Sequence, residues 1–270
     1  MVRTREQYTR ANRIAWNEVA SRHAAHNNAR LLAAFENPDH VTFEGDILET
    51  LLQVGVEGKS VIQLCCSNGA ETLSLRNMGA SRCIGVDAAD VFLVHGRQMI
   101  ERAGAEDQVE LVHRDVYDLP RDLEASFDVV LTTIGVLSWM PDLEAFFRIL
   151  QGLLKPGGKL VMEEMHPILF MYEPDANGGK SSIQNSYFED HVWEETTGLD
   201  YYGGEEYESS PNFSFMHRLD AILMASINSG LTLQSFKELD YDISFFCSDL
   251  EESPTTPPLG FVMVMHNGKS

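Results

Sequence analysis

Two features of this sequence predict an α/β fold with a largely parallel sheet. From Lys59 onward, short apolar runs alternate with helical patterns, as in repeated βαβ units. Within that stretch, Val61 to Asp87 forms one complete unit. Val61-Ile62-Gln63-Leu64-Cys65 is too short for a stable helix and is bounded by a turn, so it reads as a buried strand. A small-residue turn, Cys66-Ser67-Asn68-Gly69, leads into a helical pattern ending near Gly79. A second strand, Cys83-Ile84-Gly85-Val86, stops on Asp87, 18 residues beyond Gly69. Strand, tight turn, helix, strand and acid is the layout of a nucleotide-binding unit, whose acid accepts from ribose hydroxyls.

Ahead of the sheet, residues 1–58 read as a helical lead-in. Thr4-Arg5-Glu6-Gln7 has the form of a capping box. Tyr8, Ala11, Ala15 and Val19 recur at helical spacing, with Trp16 and His23 beside that face. Asn37-Pro38-Asp39 breaks the chain, and Phe43 to Val54 reads as another short helix. After the first unit, Ala89 to Ala103 is a helix closed by Gly104. Val109 to Val112 is a third strand ending at Arg114-Asp115-Val116, and Asp128 to Thr132 is a fourth. A helix follows from Leu143 to Leu154, with Phe146, Phe147, Leu150 and Leu154 on its apolar side. Lys155-Pro156-Gly157-Gly158 stops it, because Pro cannot continue a helix and Gly permits positive φ. Lys159 to Met162 opens a fifth strand, which ends at Glu163-Glu164-Met165-His166-Pro167.

Residues 168–215 fit no standard connection, and a loop of this length inside a compact domain is usually functional. The stretch is rich in aromatic residues. It carries eight acids and no Lys or Arg between Ser181 and His217. Alternation in Ser186 to Glu195 suggests short strands. It is expected to cap the carboxyl edge of the sheet. A helix from Arg218 to Leu231 and strands at Gln234 to Leu239 and Phe261 to His266 complete the chain. The expected organisation is a lead-in (1–58), a core (59–167 with 216–270) and a cap (168–215).

Composition narrows the function. The 270 residues are 44% hydrophobic, with net charge −21 from 41 acids against 20 bases. Phosphate neutralisation needs clustered Lys and Arg, so sequence-independent nucleic-acid binding is not expected. Attachment to an anionic membrane is not expected either. No apolar run reaches 18 residues, and the opening MVRTREQYTRANR contains no apolar signal segment, so a cytoplasmic protein is expected. Cys65, Cys66, Cys83 and Cys247 form no C-x-x-C pair and no zinc spacing. They are expected to be reduced, buried small hydrophobes, and no metal site is expected.

The turn after the first strand decides the cofactor. A dinucleotide fold wants G-x-G-x-x-G, so that backbone amides at a helix N-terminus meet a pyrophosphate. Aligned on Gly69, the earlier glycine positions hold Cys65 and Ser67. Gln63-Leu64-Cys65-Cys66-Ser67-Asn68-Gly69 instead resembles motif I of the class I S-adenosylmethionine-dependent methyltransferases, D/E-x-G-x-G-x-G. It keeps the frame and the last glycine. FDVVLTTIGVLSWMPDLEAFFRILQGLLKPGGKLVMEE is similar to the fourth strand, helix and fifth strand of that family, with KPGG 28 residues downstream of FDVV. The resemblance covers Lys59 to Pro167. Ala15-Trp16-Asn17-Glu18 and the His166-Pro167 strand ending resemble a bacterial subgroup that acts on small molecules.

The resemblance implies a Rossmann-like seven-stranded sheet, mostly parallel with the last strand antiparallel, and helices on both faces. It implies S-adenosyl-L-methionine as cofactor and in-line methyl transfer to an oxygen or nitrogen, less readily a carbon, of a small metabolite. The implied cofactor residues are Gln63, Cys65, Ser67, Gly69, Glu71, Thr72, Asp87, Ala88, Asp115, Val116 and Thr133. Asp87 would accept the ribose hydroxyls, Asp115 and Val116 would bracket adenine, and Glu71 and Thr72 would hold the methionine end. Thr133 would lie under the sulfonium. Gln63 stands where the family has an acid and brings no charge to the cofactor amino group. His166, at a strand end, is the candidate general base. Trp16, His23, Trp139, Met171, Tyr172 and Tyr187 are candidate substrate-pocket walls. A small-molecule substrate is expected, with no nucleic acid and no membrane, and a homodimer is compatible. Two alternatives stand. A nicotinamide-dependent oxidoreductase lacks its glycine spacing here and any Tyr-x-x-x-Lys pair. A cofactor-binding protein without catalysis is permitted by the altered motif I.

Overall fold

The computed structural model describes residues 3–174, 179–204 and 206–268. Helix α1 (Arg5–Ala34) opens with the expected capping box: the Thr4 hydroxyl accepts from the Gln7 amide, and the Gln7 side chain accepts from the Thr4 amide. The second lead-in helix, α2 (Gly45–Val54), starts two residues later than its sequence pattern suggests. The α/β alternation then runs through β1 (Ser60–Leu64), α3 (Ala70–Asn77), β2 (Arg82–Asp87), α4 (Asp90–Arg102) and β3 (Val109–His113). It continues through β4 (Phe127–Thr132), α5 (Leu143–Leu153) and β5 (Leu154–Met165). Among its described residues the cap contains two small hairpins, β6 (Tyr172–Glu173) with β7 (Ser182–Ile183), and β8 (Val192–Glu195) with β9 (Asn212–Phe215). Helix α6 (Leu219–Asn228) and strands β10 (Leu231–Leu239) and β11 (Gly260–Asn267) close the described chain.

Among the described residues the main sheet has seven strands in the order β10-β11-β5-β4-β1-β2-β3. Strand β11 is antiparallel to β5 and β10; the remaining pairs are parallel. Helices cover both faces, which is why the central strands are apolar on both sides. Ile62, Leu64, Val130, Leu160 and Met162 face one layer, with Phe146, Phe147 and Leu150 of α5 and Ile222 of α6. Val61, Val129, Leu131 and Val161 alternate to the other, with Leu51 of α2, Leu73 of α3 and Leu93 of α4.

Two departures from the sequence pattern have local causes. Lys155-Pro156-Gly157-Gly158 ends α5 but lies within β5, as a bulge. Pairing moves from Phe127↔Leu154 to Val129↔Lys159, and Gly157 takes φ +79° inside it. In the cap, regular structure within Ser186 to Glu195 is limited to β8, the part that pairs with β9.

The lead-in is fastened to both core and cap. Asn17 donates to the Asp90 carboxylate (2.8 Å) and accepts from the Val91 amide (3.2 Å), so α1 caps the start of α4. Buried Asn12 bonds both backbone groups of Phe213 in β9, at 2.8 and 2.7 Å. Tyr8 meets the rings of Phe213 and Phe215 edge-on. No helix among the described residues is long and apolar enough to cross a membrane. All four cysteines are unbonded, and Cys66, Cys83 and Cys247 are buried.

Candidate active site

Ligands of open α/β sheets bind beyond the carboxyl ends of the strands. Here that edge begins with the turn after β1. Cys65, Ser67 and Gly69 all adopt left-handed backbone, with φ 56°, 51° and 72°. These are the alternate positions at which the motif carries glycine. The backbone conformation is therefore kept while two of its glycines are replaced, at a cost on the order of 1–2 kcal/mol per non-glycine residue. A Cβ at Gly69 would lie 2.8 Å from the Leu111 side chain, so a replacement there would also require Leu111 to shift. The turn is fixed to the end of β2. The Ser67 amide donates to one Asp87 oxygen and the Ala89 amide to the other, each at 2.8 Å. Burial pushes the Asp87 carboxyl up to about 6, against the pull of those amides.

A polar cluster sits beside this turn. The Thr72 hydroxyl donates to Gln63 Oε1 (2.7 Å), the Gln63 amide donates to Glu71, and the Thr133 hydroxyl donates to Glu71 Oε2 (2.7 Å). Burial raises the Glu71 carboxyl, with Thr133 and Gln63 opposing. Thr72 thus serves Gln63 from behind the carboxylate, whereas Glu71 and Thr133 meet at the strand ends. At the end of β3, the Asp115 carboxylate accepts from the Tyr117 amide (3.0 Å) and starts a short 3-10 turn that includes buried Val116. The carbonyl of Ala88 meets His113 Nε2 at 3.1 Å. Tyr117 then ties β3 to the loop after β4 through its hydroxyl and the backbone of Asp142.

The aromatic wall comes from four separate parts of the chain: α1, the start of α4, the loop after β4 and the cap. Trp16 of α1 meets Trp139 edge-on at 5.2 Å and approaches Phe92 and Tyr201. His23 lies 4.5 Å from the ring of Tyr201 and 4.8 Å from that of Tyr202. Tyr201 is 63% exposed, yet burial pushes its hydroxyl up, with Tyr202 and Glu71 adding to the shift. Through Phe92 in the first turn of α4, which follows β2, Trp16 and Tyr201 stand at the same carboxyl edge as the motif turn. His23 Nε2 is 2.9 Å from the Leu199 carbonyl, and its buried Nδ1 has no partner.

The expected pocket walls therefore divide. Trp16, His23 and Trp139 come together; Met171, Tyr172 and Tyr187 build the cap itself. The Met171 carbonyl accepts from Gln184 and Asn185, Tyr172 packs on the cluster of Leu169, Cys247, Leu250 and Leu259, and the Tyr187 hydroxyl accepts from the Leu219 amide. His166 also takes a different place from the one its strand-end position suggests. Its Nδ1 accepts from the Ile168 amide (3.2 Å), capping a 3-10 turn. Its Nε2 lies 3.4 Å from Glu238 on β10, two strands outward from β5, so the ring turns away from the crevice between β1 and β4.

Sequence reasoning missed Phe92, Tyr201, Tyr202, Glu163 and Glu164. The adjacent Tyr201-Tyr202 pair before two glycines was the one available signal. Glu164 is buried and accepts from the amides of Gly135 (2.6 Å), Met165 and Leu137 (both 2.8 Å), which anchors the loop bearing Trp139. Burial lifts its carboxyl to about 7 against those amides. Glu163 is 5% exposed, and burial, then Glu71, Glu164 and Asp46, lift it to about 8.

Comparison with known proteins agrees with this geometry. Residues 61–158 match the methyltransferase domain family. The chain is 31% identical over 148 residues to a ribosomal protein L11 methyltransferase of Vibrio cholerae, covering 55% of this chain and 47% of that protein. It is 30% identical over 141 residues to a demethylmenaquinone methyltransferase of Clavibacter sepedonicus, covering 47% and 55%. The chain thus spans about half the length of the curated relatives it matches. A solved S-adenosylmethionine-dependent methyltransferase from Mesorhizobium loti superposes with TM-score 0.59 at 21% identity, covering 82% of this chain and 98% of that one. Strand order, the left-handed motif turn and the matched segment agree: residues 61–158 carry a methyltransferase domain, set in a fold shared with solved S-adenosylmethionine-dependent methyltransferases.

Proposed function

We propose that the chain transfers a methyl group from S-adenosyl-L-methionine to an oxygen or nitrogen, less readily a carbon, of a small metabolite. The observation that carries this reading is the meeting of the motif turn, Asp87 and the Trp16–Trp139–Tyr201 wall at one carboxyl edge.

The residues present fit the cofactor. Each Asp87 oxygen accepts one backbone amide, which leaves lone pairs for the two ribose hydroxyls. Asp115 and Val116 would flank the adenine, Ser67 and Gly69 would bring backbone close, and Glu71 and Thr133 would meet the methionine end. When bound, the cofactor supplies a methyl group on an electrophilic sulfonium. In such a displacement charge is lost rather than built up, so alignment by the protein supplies much of the rate. Trp16, Trp139 and Tyr201 would exclude water and orient the acceptor. Where the acceptor brings a proton, His23 suits its removal better than His166 does. Burial holds His23 neutral, Nε2 donates to the Leu199 carbonyl, and Nδ1 is left as a free acceptor. The strongly acidic chain and the aromatic wall support a small acceptor over a nucleic acid.

Calorimetry with S-adenosylhomocysteine and with NAD tests the reading. The first is expected to bind and the second not. Asp87→Ala is expected to weaken S-adenosylhomocysteine by about 2–3 kcal/mol, since hydrogen bonds to a charged acceptor are lost. Binding of NAD alone would favour the oxidoreductase.

A further inference from the structure

We infer that Glu71 and Glu163 form a buried anionic subsite that takes an ammonium group. The inference rests on the proposed function and adds a residue from β5 to the crevice.

The sheet register builds this subsite. Gln63 pairs with Leu131, and Leu131 with Val161. Paired residues of parallel strands share a face, and so do residues two apart. Gln63, Thr133 and Glu163 therefore emerge on one face, at the carboxyl edge. Helix α3 covers that face, and its first turn carries Glu71, which the Thr133 hydroxyl and the Gln63 amide hold. Glu163 is different. It is 95% buried by its 5% exposure, and among the described residues its side chain makes no hydrogen bond and no ion pair. The charges that act on it, Glu71, Glu164 and Asp46, are all acidic.

A buried carboxylate without a partner is unfavourable by several kcal/mol, and a second one beside it adds repulsion. Either a proton or a cation must settle the pair. A metal is disfavoured, because no group of three or more potential His, Cys, Asp or Glu ligands exists among the described residues. A primary ammonium has three N–H donors and a full charge, which suits two carboxylates that approach from different elements, α3 and β5. It also accounts for Gln63. The charge absent from the first motif position would be supplied from the first turn of α3, on the Glu71 carboxylate that Gln63 holds. Two ligands carry such a group: the cofactor, on its methionine end, and an amine acceptor.

Glu163→Gln separates these from a carboxyl that merely holds a proton, since the amide copies a neutral acid in shape. Calorimetry would use three probes: S-adenosylhomocysteine, 5′-methylthioadenosine, which lacks the amino group, and tyramine added to protein saturated with S-adenosylhomocysteine. Weakening of S-adenosylhomocysteine by about tenfold or more, with 5′-methylthioadenosine unchanged, supports the subsite and assigns it to the cofactor. Loss confined to tyramine supports it and assigns it to the acceptor. Unchanged affinities for all three overturn it, as does equal weakening of both adenosyl ligands. Above pH 8, where Glu163 is ionised, the ligand-free variant is expected to melt at or above the parent temperature, because a buried like charge is gone. If it does not fold, Glu163→Met allows the same comparison. A parent protein that binds neither adenosyl ligand overturns the functional reading and this inference with it.

Discussion

His23 and His166 are both buried, and burial lowers the pKa of both, but their free nitrogens face different surroundings. In His166, Nδ1 caps a turn and Nε2 faces Glu238 at the sheet edge. His166→Ala is therefore expected to reduce stability by about 1 kcal/mol in urea titration, as loss of a cap does. Asn should restore it, because its side-chain oxygen can accept the same amide. S-adenosylhomocysteine affinity should not move in either variant. A large fall in methyl transfer at unchanged stability would return His166 to the chemistry. His23→Gln is expected to leave S-adenosylhomocysteine binding intact and to slow turnover on a protonated acceptor by roughly 10²–10⁴-fold. It should also flatten the acid limb of the pH–rate profile. A parent-like profile in His23→Gln would remove it as the base.

At the scale of the element, the turn of residues 65–69 tests how far backbone shape can substitute for glycine. Ser67 is held left-handed by the hydrogen bond that its backbone amide donates to the Asp87 carboxylate. A β-branched side chain tolerates that region poorly. Ser67→Val is expected to lose about 1–3 kcal/mol of stability and to weaken S-adenosylhomocysteine, because the Asp87 geometry goes with it. Ser67→Gly should preserve both, since Gly occupies positive φ freely. Equal stability of the Val and Gly variants in chemical denaturation would show that the turn stores no such strain.

For the whole molecule, the buried carboxylates set an unusual pH dependence. Asp87, Glu164 and Glu163 are raised to about 6, 7 and 8, above their unfolded values near 4. Between those limits the folded protein binds more protons than the unfolded chain, so stability falls as pH rises. Asp128 acts oppositely. Burial alone would raise it, but Lys155 and Ser60 hold it at about 2, and its contribution disappears only as pH falls through that value. The ligand-free protein is thus expected to melt higher near pH 5 than near pH 8 in scanning calorimetry. A melting temperature that climbs across that window would contradict the burial of these carboxylates. The cap supplies a second whole-molecule readout. S-adenosylhomocysteine should slow chymotryptic cleavage at Tyr201 and Tyr202, beside Trp16, but not at exposed Phe188, whose neighbour Tyr187 is tied to the Leu219 amide.

The sequence by itself determined the order of the core elements, the capping box of α1, the two apolar faces of the central strands and the place of Asp87. Each of these depends on residues a few positions apart, where backbone periodicity and turn chemistry decide. The aromatic wall was half legible, through Trp16, His23 and Trp139. Its other half, Phe92, Tyr201 and Tyr202, needed α1 to lie along α4 and the cap to seat on α1 through Asn12 and Phe213, 201 residues apart. Only the tertiary structure decided that Cys65 and Ser67 keep the glycine conformation, that the Gln63 amide meets the Glu71 carboxylate, and that His166 meets Glu238 of β10. The physical reason is direction. A sequence pattern says where a strand ends, but where its last side chain points, and what meets it, is fixed by register and by neighbours from distant segments.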